Sequence, residues 1–411
     1  MTRIVMMQHT FRIASLLLLL SLSAHAQDRA YALTNVNVFN GVRDRIAENR
    51  IVLVSNGKIE RIARGDTPVA SGYEVIDCES FYLMPGMMDA HTHILSLEQA
   101  RRALESGVTT VRTAGTPAYQ DVSLRELARA GKIAGPDVVA AGVFVTPNLE
   151  ETILADPRLN ELAERVNSDD ELRLLVQVNA DRGVDVIKTR GTERAGLPDT
   201  DPRQQVYTER QLRVVVEEAA KHDIPVMVHA HGDEGARAAV LAGARSIEHG
   251  TYLSRDTLRL MKERGTWFVP TWITMQEMNE EQYDYVLRLR GKHMVPQLER
   301  AIREAYRQGV KIATGADNYY DDRSINRISL EVEAFVRLGM SNFDALQTAT
   351  VNAAELLRVD GHTGRIEEGL DADLILVPGN PLEDIAVLQD VLLVMSNGQI
   401  VLKRIPFSIS D

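Results

Sequence analysis

Cysteine is almost absent from this chain of 411 residues, and basic charge is in deficit. Cys78 is the single cysteine, so no internal disulfide can form and no such cross-link can hold the core together. Lys and Arg number 46 against 58 Asp and Glu, which gives a net charge of −12. That balance favours solubility and argues against nucleic acid or an anionic membrane surface as a partner.

A membrane-spanning run is also lacking at the N-terminus, where the apolar stretch Ile13–Leu22 is only ten residues long. Arg3 and Arg12 flank it on one side, and Ala24-His25-Ala26 supplies small residues at the positions that a signal peptidase reads. We therefore predict that residues 1–26 are a signal peptide, and that the mature chain is periplasmic or secreted and has no membrane span. A retained N-terminal anchor is the alternative.

Short strand patterns occur at both ends of the chain. Residues 31–83 contain five of them, with a hairpin turn signal at Ser55-Asn56-Gly57. The C-terminal end repeats this style around Ser396-Asn397-Gly398. We predict that residues 27–83 and 365–411 together form one small β-sandwich domain built from both termini.

Between these ends, strand patterns alternate with amphipathic helical stretches such as Glu209–His222. The candidate strands are Leu83–His93, Thr109–Ala114, Asp137–Val145, Val184–Arg190, Pro225–His231, Arg245–His249, Trp267–Ile273 and Val310–Asp317. Some are continuous apolar runs, as Val226-Met227-Val228 is, which is typical of parallel strands buried on both faces. The predicted fold class is α/β, with a (β/α)₈ TIM-like barrel over residues 84–364.

Polar residues end these apolar runs, at the strand ends where barrel enzymes place their catalytic groups. His91 and His93 are spaced i, i+2, so both project from one face of a strand and converge on one point. Of the ten histidines in the chain, five fall at strand ends, and a clustered metal site is the simplest account. The strand-end residues are His91, His93, Lys188, His229, His231, His249 and Asp317.

Five motifs, in this order, resemble those of the metal-dependent amidohydrolase superfamily. They are Asp89-Ala90-His91-Thr92-His93 after Pro85-Gly86, Val186-Ile187-Lys188, Val228-His229-Ala230-His231-Gly232, Ser246-Ile247-Glu248-His249-Gly250 and Ala313-Thr314-Gly315-Ala316-Asp317. The tail segments 350–354 and 369–374 are also similar, so the resemblance covers nearly all of the mature chain. Within the superfamily, the chain looks like exported enzymes of the imidazolonepropionase-related and Xaa-Pro dipeptidase-like group.

The resemblance implies a site for two divalent metal ions of the Zn²⁺ type. The implied ligands are His91, His93 and Asp317 for the first ion, and His229 and His249 for the second. Lys188 would bridge both ions as an N6-carboxylated lysine, because a carbamate removes the like-charge repulsion that an ammonium group would suffer there. An ion pair of Lys188 with Glu193 or Asp185 is the alternative.

The two histidines of the fifth strand have different implied roles. By resemblance, His229 is the ligand and His231 is a catalytic residue that polarises the substrate carbonyl; the reverse assignment stays open. The implied mechanism is attack by a hydroxide that bridges the two ions. Asp317 would act as general base and then deliver the proton to the leaving nitrogen. The structural alternative for Asp317 is a helix N-cap.

The loops after the strands set substrate specificity. Arg190 and Arg194 suit a carboxylate-bearing substrate, such as a dipeptide or an N-acyl amino acid, by bidentate pairing. Tyr207 and Tyr252 are further candidate substrate-binding residues, and an internal ion pair of either arginine is the alternative to substrate binding. The loop 142–148 lacks the Gly-Gly-His found in many of the related peptidases, which is a departure from their pattern.

The predicted function is metal-dependent hydrolysis of an amide or peptide bond in a small-molecule or dipeptide substrate. A mononuclear deaminase or cyclic-amide hydrolase is the second hypothesis; that class typically lacks the strand-4 lysine and has Glu three residues after the strand-5 histidine. This chain has Lys188 and, at the latter position, Gly232. A lactonase stays open, a non-enzymatic scaffold is disfavoured because no ligand position is missing, and the sequence leaves homo-oligomerisation open.

Overall fold

The computed structural model describes residues 30–322, 324 and 327–405, so the predicted signal peptide lies outside the described residues. The strands are β1 (Ala30–Phe39), β2 (Ile46–Ser55), β3 (Lys58–Arg64), β4 (Tyr73–Asp77), β5 (Tyr82–Pro85), β6 (Met87–Thr92), β7 (Val108–Thr113), β8 (Asp137–Val139), β9 (Ile187–Arg190), β10 (Val226–Ala230), β11 (Ser246–His249), β12 (Trp267–Val269), β13 (Leu374–Val377), β14 (Leu393–Ser396) and β15 (Gln399–Lys403). The helices are α1 (Leu97–Glu105), α2 (Gln120–Arg129), α3 (Asp169–Asp181), α4 (Glu209–Ala220), α5 (Asp233–Ala242), α6 (Arg255–Arg264), α7 (Trp272–Glu277), α8 (Tyr285–Gln308), α9 (Ile328–Arg337), α10 (Asn342–Thr348) and α11 (Val351–Leu357).

Both ends of the chain contribute strands to one sheet. Its order is β15-β14-β13-β5-β1-β2-β3, with β4 paired to β1. The N- and C-terminal segments meet where β13 lies antiparallel to β5, with Leu374 opposite Pro85 and Val377 opposite Tyr82. Because these strands form one hydrogen-bonded sheet, the predicted β-sandwich is not confirmed. The boundaries at 27–83, 84–364 and 365–411 stay predictions.

The two Asn-Gly turns of this sheet are hairpin turns. Asn56 and Gly57 have φ values of 52° and 77°, and Asn397 and Gly398 have values of 49° and 73°. Positive φ at both central residues is what a type I′ turn requires. The turns also touch each other, since a Cβ on Gly398 would lie 2.5 Å from Gly57 Cα. Both the backbone conformation and this contact therefore require glycine at position 398.

Parallel strands and helices alternate through the middle of the chain, as the sequence predicts. The strands β6, β7 and β8 form a three-stranded sheet, and β9 to β12 form a four-stranded sheet. Every residue of β6, β7, β9, β10 and β11 is buried. Complete burial is expected of parallel strands that are covered on both faces, and it explains their continuous apolar patterns.

Several predicted strands are shorter than the sequence indicates. The segment predicted as the strand Trp267–Ile273 forms only β12, and the helix α7 begins at Trp272. In the segment 137–145 only β8 is regular, and Gly142 with φ 65° interrupts the extended backbone after it. The segment 310–317 forms no regular strand, and Asp317 has φ 48°. Isolated parallel bridges link the sheet edges here; they are Val145–Thr189, Phe268–Ile312 and Thr92–Asn318. A closed ring of eight regular strands is therefore not confirmed for the described residues.

The hydrophobic core lies between the parallel strands and the helices, and a second cluster lies within the sheet of the termini. Cys78 belongs to the second cluster, where burial raises the pKa of its thiol to about 12. It is a small buried hydrophobe, 0% exposed. None of the described helices is both long and apolar enough to cross a membrane. The buried polar residues include a group at the carboxyl ends of the parallel strands.

Candidate metal centre

The residues predicted from the strand ends come together at the carboxyl ends of the parallel strands. Four of them lie in the strands themselves: His91 in β6, Lys188 in β9, His229 in β10 and His249 in β11. His93 and His231 follow β6 and β10 directly. The backbone N–H of Asp317 donates to the carbonyl of His91 at 2.7 Å, which brings the segment 310–317 to the same end.

Two residues of this group have a left-handed backbone: His249 with φ 72° and Asp317 with φ 48°. Few residues other than glycine adopt this region, and His and Asp do so more readily than most. Successive side chains of a regular strand alternate between its faces. The left-handed backbone at His249 breaks this alternation, so that both Glu248 and His249 contact His91. Left-handed residues of this kind cluster at functional sites.

Each of the five histidines has one ring nitrogen beside an oxygen atom from outside the cluster. The other ring nitrogen makes no such outside contact; that of His93 lies 3.1 Å from Asp317 Oδ1, within the cluster. The pairs are His91 Nδ1 with Glu248 Oε2 (2.7 Å), His93 Nδ1 with the Gly115 carbonyl (3.2 Å), His229 Nε2 with the Glu193 carbonyl (3.0 Å), His231 Nδ1 with the Thr251 hydroxyl (2.9 Å) and His249 Nδ1 with the Thr271 hydroxyl (2.7 Å). Metal-ligating histidines are held in this way in proteins, since the outer hydrogen bond fixes the tautomer and the ring orientation. The arrangement leaves Nδ1 of His229, and Nε2 of the others, as ligand atoms.

The imidazole rings lie against one another around His249. Its ring centroid is 4.5 Å from that of His229, 4.7 Å from that of His231 and 5.0 Å from that of His91. Two groups of potential ligand atoms lie within 4.8 Å of one another: His229, His231 and His249, and then His91, His249 and Asp317. Because both groups contain His249, they form one continuous cluster. Imidazole nitrogens and carboxylate oxygens are the donors that Zn²⁺ and similar divalent ions prefer.

Burial keeps four of these imidazoles neutral. It lowers the pKa of His91 to about 4 and that of His231 to about 3. The pKa values of His229 and His249 are held well below the usual value, first by burial and then by the neighbouring histidines. Only a neutral imidazole has a lone pair for a metal ion. The donor set therefore fits a divalent metal ion.

Lys188 lies inside the cluster and is only 2% exposed. Its Nζ is 3.4 Å from His91 Nε2 and 5.7 Å from the ring centroid of Phe144. Burial lowers the pKa of Lys188 to about 8, although the charges of Glu248 and Asp317 oppose this effect. A substantial fraction of the side chain is therefore the neutral amine at mildly alkaline pH.

The alternative ion pairs for Lys188 are not formed. Glu193 pairs instead with Arg190, at 3.1 Å between Oε2 and Nη1. Asp185 pairs with Arg125, at 2.5 Å between Oδ2 and Nη1. Lys188 is thus directed at the histidines and not at a structural carboxylate on the rim.

Asp317 is the carboxylate at the centre of the cluster. Its Oδ1 is 3.1 Å from His93 Nε2 and 3.4 Å from His91 Nε2, and its Oδ2 is 3.9 Å from His249 Nδ1. Burial alone would raise the pKa of Asp317, but its contact with His91, its hydrogen bond with His93 and the charge of Lys188 lower it to about 2. The low pKa means that the carboxylate is ionised near neutral pH. Its side chain is 19% exposed, so a small molecule can still reach it.

Two buried charged residues behind the cluster are absent from the residues predicted by the sequence. Glu248 is 0% exposed and Arg112 is 2% exposed. Arg112 Nη2 donates to Glu248 Oε1 at 3.0 Å, while the other carboxylate oxygen lies at His91. Two features of the sequence could have identified them. Glu248 lies within the motif around His249, and Arg112 is a charged residue within the apolar pattern of the buried strand β7.

Two of the four predicted substrate-binding residues are occupied within the fold. Arg190 is 6% exposed and makes the internal ion pair with Glu193 that is the alternative to substrate binding. Tyr207 is 0% exposed, and its hydroxyl donates to the Val166 carbonyl at 2.9 Å. Neither side chain is open to a substrate in this structure.

The other two predicted substrate-binding residues are open to solvent. Arg194 is exposed, and its guanidinium makes no hydrogen bond or ion pair with any described residue. Tyr252 is half-buried, and its N–H donates to the His231 carbonyl at 2.9 Å. Tyr319, which is not among the predicted residues, stacks on His93 with the ring centroids 5.2 Å apart and is 47% exposed. Burial and Asp317 raise the pKa of Tyr319, and the nearby charge of Arg194 opposes this rise.

Comparison with known proteins agrees with this geometry. The family model described as "Amidohydrolase family" matches residues 82–401. Ochratoxinase from Aspergillus niger is 29% identical over 358 residues, which are 75% of this chain and 72% of that protein.

Solved structures share the fold across nearly the whole chain. A Xaa-Pro dipeptidase with methionine bound in its active site is 29% identical, with a TM-score of 0.81 over 90% of this chain and 99% of that chain. A prolidase in complex with N-methylphosphonate-L-proline is 25% identical, with a TM-score of 0.82 over 91% of this chain and 100% of that chain. The fold is accordingly a TIM-barrel-like α/β fold. Because the family model spans most of the chain, the chain belongs to the amidohydrolase family and is an enzyme that acts on carbon–nitrogen bonds.

Proposed function

We propose that this enzyme hydrolyses the amide or peptide bond of a small substrate, a dipeptide or an N-acyl amino acid, at a site for two divalent metal ions. The observation that carries the proposal is the cluster itself. Five histidines converge there, each with one ring nitrogen beside an oxygen from outside the cluster, so that its other nitrogen remains for the proposed ligand set. A packed core gains nothing from such an arrangement, whereas metal ions require it.

Six residues account for such a site. The proposed ligands are His91, His93 and Asp317 for one ion, His229 and His249 for the other, and Lys188 as an N6-carboxylated bridge. Carboxylation requires the neutral amine, and the lowered pKa of Lys188 supplies it. The reaction joins the amine nitrogen to the carbon of carbon dioxide, with loss of one proton. It turns the neutral amine into an anion, so the like-charge repulsion that an ammonium group would suffer beside metal ions does not arise.

The chain's own groups would share the chemical work. When bound, the ions would polarise the substrate carbonyl and lower the pKa of a coordinated water. Asp317 would accept the proton of the attacking water and deliver it to the leaving nitrogen. Its ionised state and its position between His93 and His249 suit this transfer. His231 would donate a hydrogen bond to the oxygen atom on which negative charge develops.

The donor role of His231 depends on Thr251. The Thr251 hydroxyl lies 2.9 Å from His231 Nδ1 and can either donate to it or accept from it. If the hydroxyl donates, Nε2 carries the proton and can stabilise an oxyanion. If the hydroxyl accepts, Nε2 is a free lone pair and His231 is a metal ligand, which is the reverse assignment. The two assignments therefore predict opposite results for metal content.

Replacing each histidine in turn separates these assignments. We expect wild-type protein to hold two zinc ions per chain, His229→Ala to lose one of them, and His231→Ala to keep both. Turnover by His231→Ala should fall by about 10²–10³-fold, as when one oxyanion donor is removed. Zinc per chain, measured by mass spectrometry of dialysed protein, and turnover, measured by amide hydrolysis, check these results.

Other outcomes would contradict specific parts of the proposal. Loss of an ion from His231→Ala but not from His229→Ala would reverse the assignment. A single ion that persists in wild-type protein under saturating zinc would favour the mononuclear deaminase or cyclic-amide hydrolase. A screen of zinc-loaded protein against dipeptides, N-acyl amino acids and lactones tests the substrate class. Turnover of lactones alone would replace the amide hydrolase by a lactonase.

The proposed substrate carries a carboxylate, and Arg194 is its proposed partner. This guanidinium is exposed and unpaired among the described residues, whereas that of Arg190 is buried and paired with Glu193. The relatives support this class, since one is a Xaa-Pro dipeptidase with methionine bound in its active site and another is a prolidase in complex with N-methylphosphonate-L-proline. Tyr252 and Tyr319 would line the same opening.

Arg194→Ala is expected to raise KM for a dipeptide about 10- to 100-fold, because one charge-assisted pair with the carboxylate is lost. The kcat should change little, since the contact is the same in ground and transition states. Initial rates on a dipeptide and on its C-terminal amide check this, because only the free carboxylate should show the effect. Arg210→Ala is the control; this arginine is also exposed but is paired with Asp169. An equal loss on both substrates would exclude carboxylate recognition.

We also propose that the enzyme is exported, with residues 1–26 removed. The apolar run and the small residues before Ala26 support this proposal. N-terminal sequencing of protein from a cell fraction outside the cytoplasm tests it, and an intact N-terminus at Met1 would contradict it.

A further inference from the structure

Behind the histidine cluster lies a buried network of charged and polar side chains. Glu248 Oε2 lies 2.7 Å from His91 Nδ1, and Glu248 Oε1 accepts from Arg112 Nη2 at 3.0 Å. The Ser246 hydroxyl donates to the same Oε1, and Arg112 Nη1 donates to Ser246 at 3.2 Å. Arg112 Nε donates to the Ala90 carbonyl at 2.7 Å, next to His91 in the chain. The network thus ties β7 and β11 to β6.

This network distinguishes His91 from the other four histidines. Their outer nitrogens lie at neutral oxygens: two carbonyls and two threonine hydroxyls. Among these five, only His91 has its outer nitrogen against a carboxylate, and that carboxylate has no exposed surface. A buried carboxylate is stable only with a compensating charge, which Arg112 provides.

We propose that Glu248 is the positioning residue for His91, and that Arg112 and Ser246 hold it in place. The carboxylate accepts a hydrogen bond from the N–H at His91 Nδ1. This bond fixes the tautomer that has its lone pair on Nε2 and increases the basicity of Nε2. His91 Nε2 is then directed at the space between Asp317 Oδ1 and Lys188 Nζ, each 3.4 Å away. This proposal rests on the proposed metal site. It ranks the imidazole ligands of that site by strength, with His91 as the strongest.

The carboxylate cannot be replaced freely by an amide at this position. In Glu248→Gln, the amide oxygen can face His91 only if its NH₂ group faces Arg112 and Ser246. Two donors would then oppose each other in a site without water exposure, so one hydrogen bond must be lost. The variant therefore removes the negative charge behind His91 and disrupts the hydrogen bonds there, while the volume of the side chain stays nearly constant.

The test is zinc affinity, measured by competition with a chromogenic chelator on the whole protein. We expect Glu248→Gln to bind one of its two zinc ions about 10- to 100-fold more weakly, the usual cost of removing such a partner of a ligating histidine. The cobalt-substituted variant should show shifted visible absorption bands, because the ligand field at His91 changes. Glu331→Gln is the matched control: Glu331 is also 0% exposed, and its carboxylate accepts from the Ile273 N–H at 3.2 Å.

The outcomes separate this inference from the proposed function. Wild-type protein that binds no zinc would overturn both. Two zinc ions in wild type, with unchanged affinity and unchanged cobalt bands in Glu248→Gln, would overturn the positioning role alone. If circular dichroism shows that Glu248→Gln does not fold, Ser246→Ala is measured in its place. That variant should weaken zinc binding about threefold or more, the value of one hydrogen bond, and unchanged affinity would overturn the inference.

Discussion

Lys188→Ala is expected to abolish turnover and to leave the protein with fewer than two metal ions. Lys188 lies 3.4 Å from His91 Nε2, in a position where its carboxylated form would contact both groups of ligands. Alanine removes that bridge and leaves a space beside His91. Acetate or formate should enter this space and restore part of the activity, because either supplies a carboxylate where the carbamate would lie. The rate of amide hydrolysis by Lys188→Ala, measured with and without acetate or formate at roughly 100 mM, checks the prediction, because weakly binding anions occupy a site only at such concentrations.

The control for this variant is Lys311→Ala. Lys311 stacks on Trp267 at 5.0 Å and pairs with Glu355, away from the five histidines. Its removal costs a lysine and a cation–π contact but should leave turnover and metal content unchanged. Full activity of Lys188→Ala would remove the lysine from the mechanism. Loss of activity without any rescue by carboxylates would show that Lys188 acts as an amine and not as a carbamate.

The sequence predicts the histidine cluster because strand geometry has a strict period. Residues i and i+2 share a face, and parallel strands bring their carboxyl ends to one edge, so His91, His93, His229 and His249 could be placed together without coordinates. The two Asn-Gly hairpins are predictable for a similar reason, since few residues tolerate positive φ at both central positions.

Residues that act through tertiary contacts could not be assigned in this way. Arg112 and Glu248 are on strands that are not neighbours in sequence, and nothing local indicates that they pair. The left-handed φ of His249 also breaks the alternation on which the prediction rests. Tyr207 is an error of the opposite kind. It follows Lys188 in the sequence and is predicted to bind substrate, but its side chain is turned inward to the Val166 carbonyl.

Two segments that the sequence predicts as strands are irregular for a local reason. A pattern of apolar residues predicts an extended segment, but it does not show where hydrogen-bond pairing stops. Gly142 and Asp317 both have positive φ within segments predicted as strands, so regular pairing is replaced there by single bridges. The interruption at Asp317 lies at the site itself, where an irregular backbone aims the carboxylate at the histidines.

Asp317→Asn is expected to eliminate turnover while leaving most of the metal in place. An amide oxygen can still accept from His93 Nε2, which lies 3.1 Å from Oδ1, so the local geometry is preserved. An amide cannot take up a proton at the pH of the reaction, however, and the proton of the attacking water has no other acceptor at this position. Removing one general acid–base group costs about 10²–10⁴-fold in rate. Turnover and zinc per chain, measured on the same preparation, check both parts of the prediction.

The loss must be separated from the general cost of replacing a buried aspartate. Asp373→Asn is the matched control, because Asp373 is 3% exposed, directly precedes β13 and accepts from the backbone N–H of Asn397 at 2.8 Å. Its burial raises its pKa to about 7, so a neutral amide there resembles the protonated acid and should be tolerated. Asp317→Asn with normal turnover would move the proton transfer to another group. Asp317→Asn without metal would show that the carboxylate is needed as a ligand before it is needed as a base, because an amide oxygen binds divalent ions more weakly than a carboxylate.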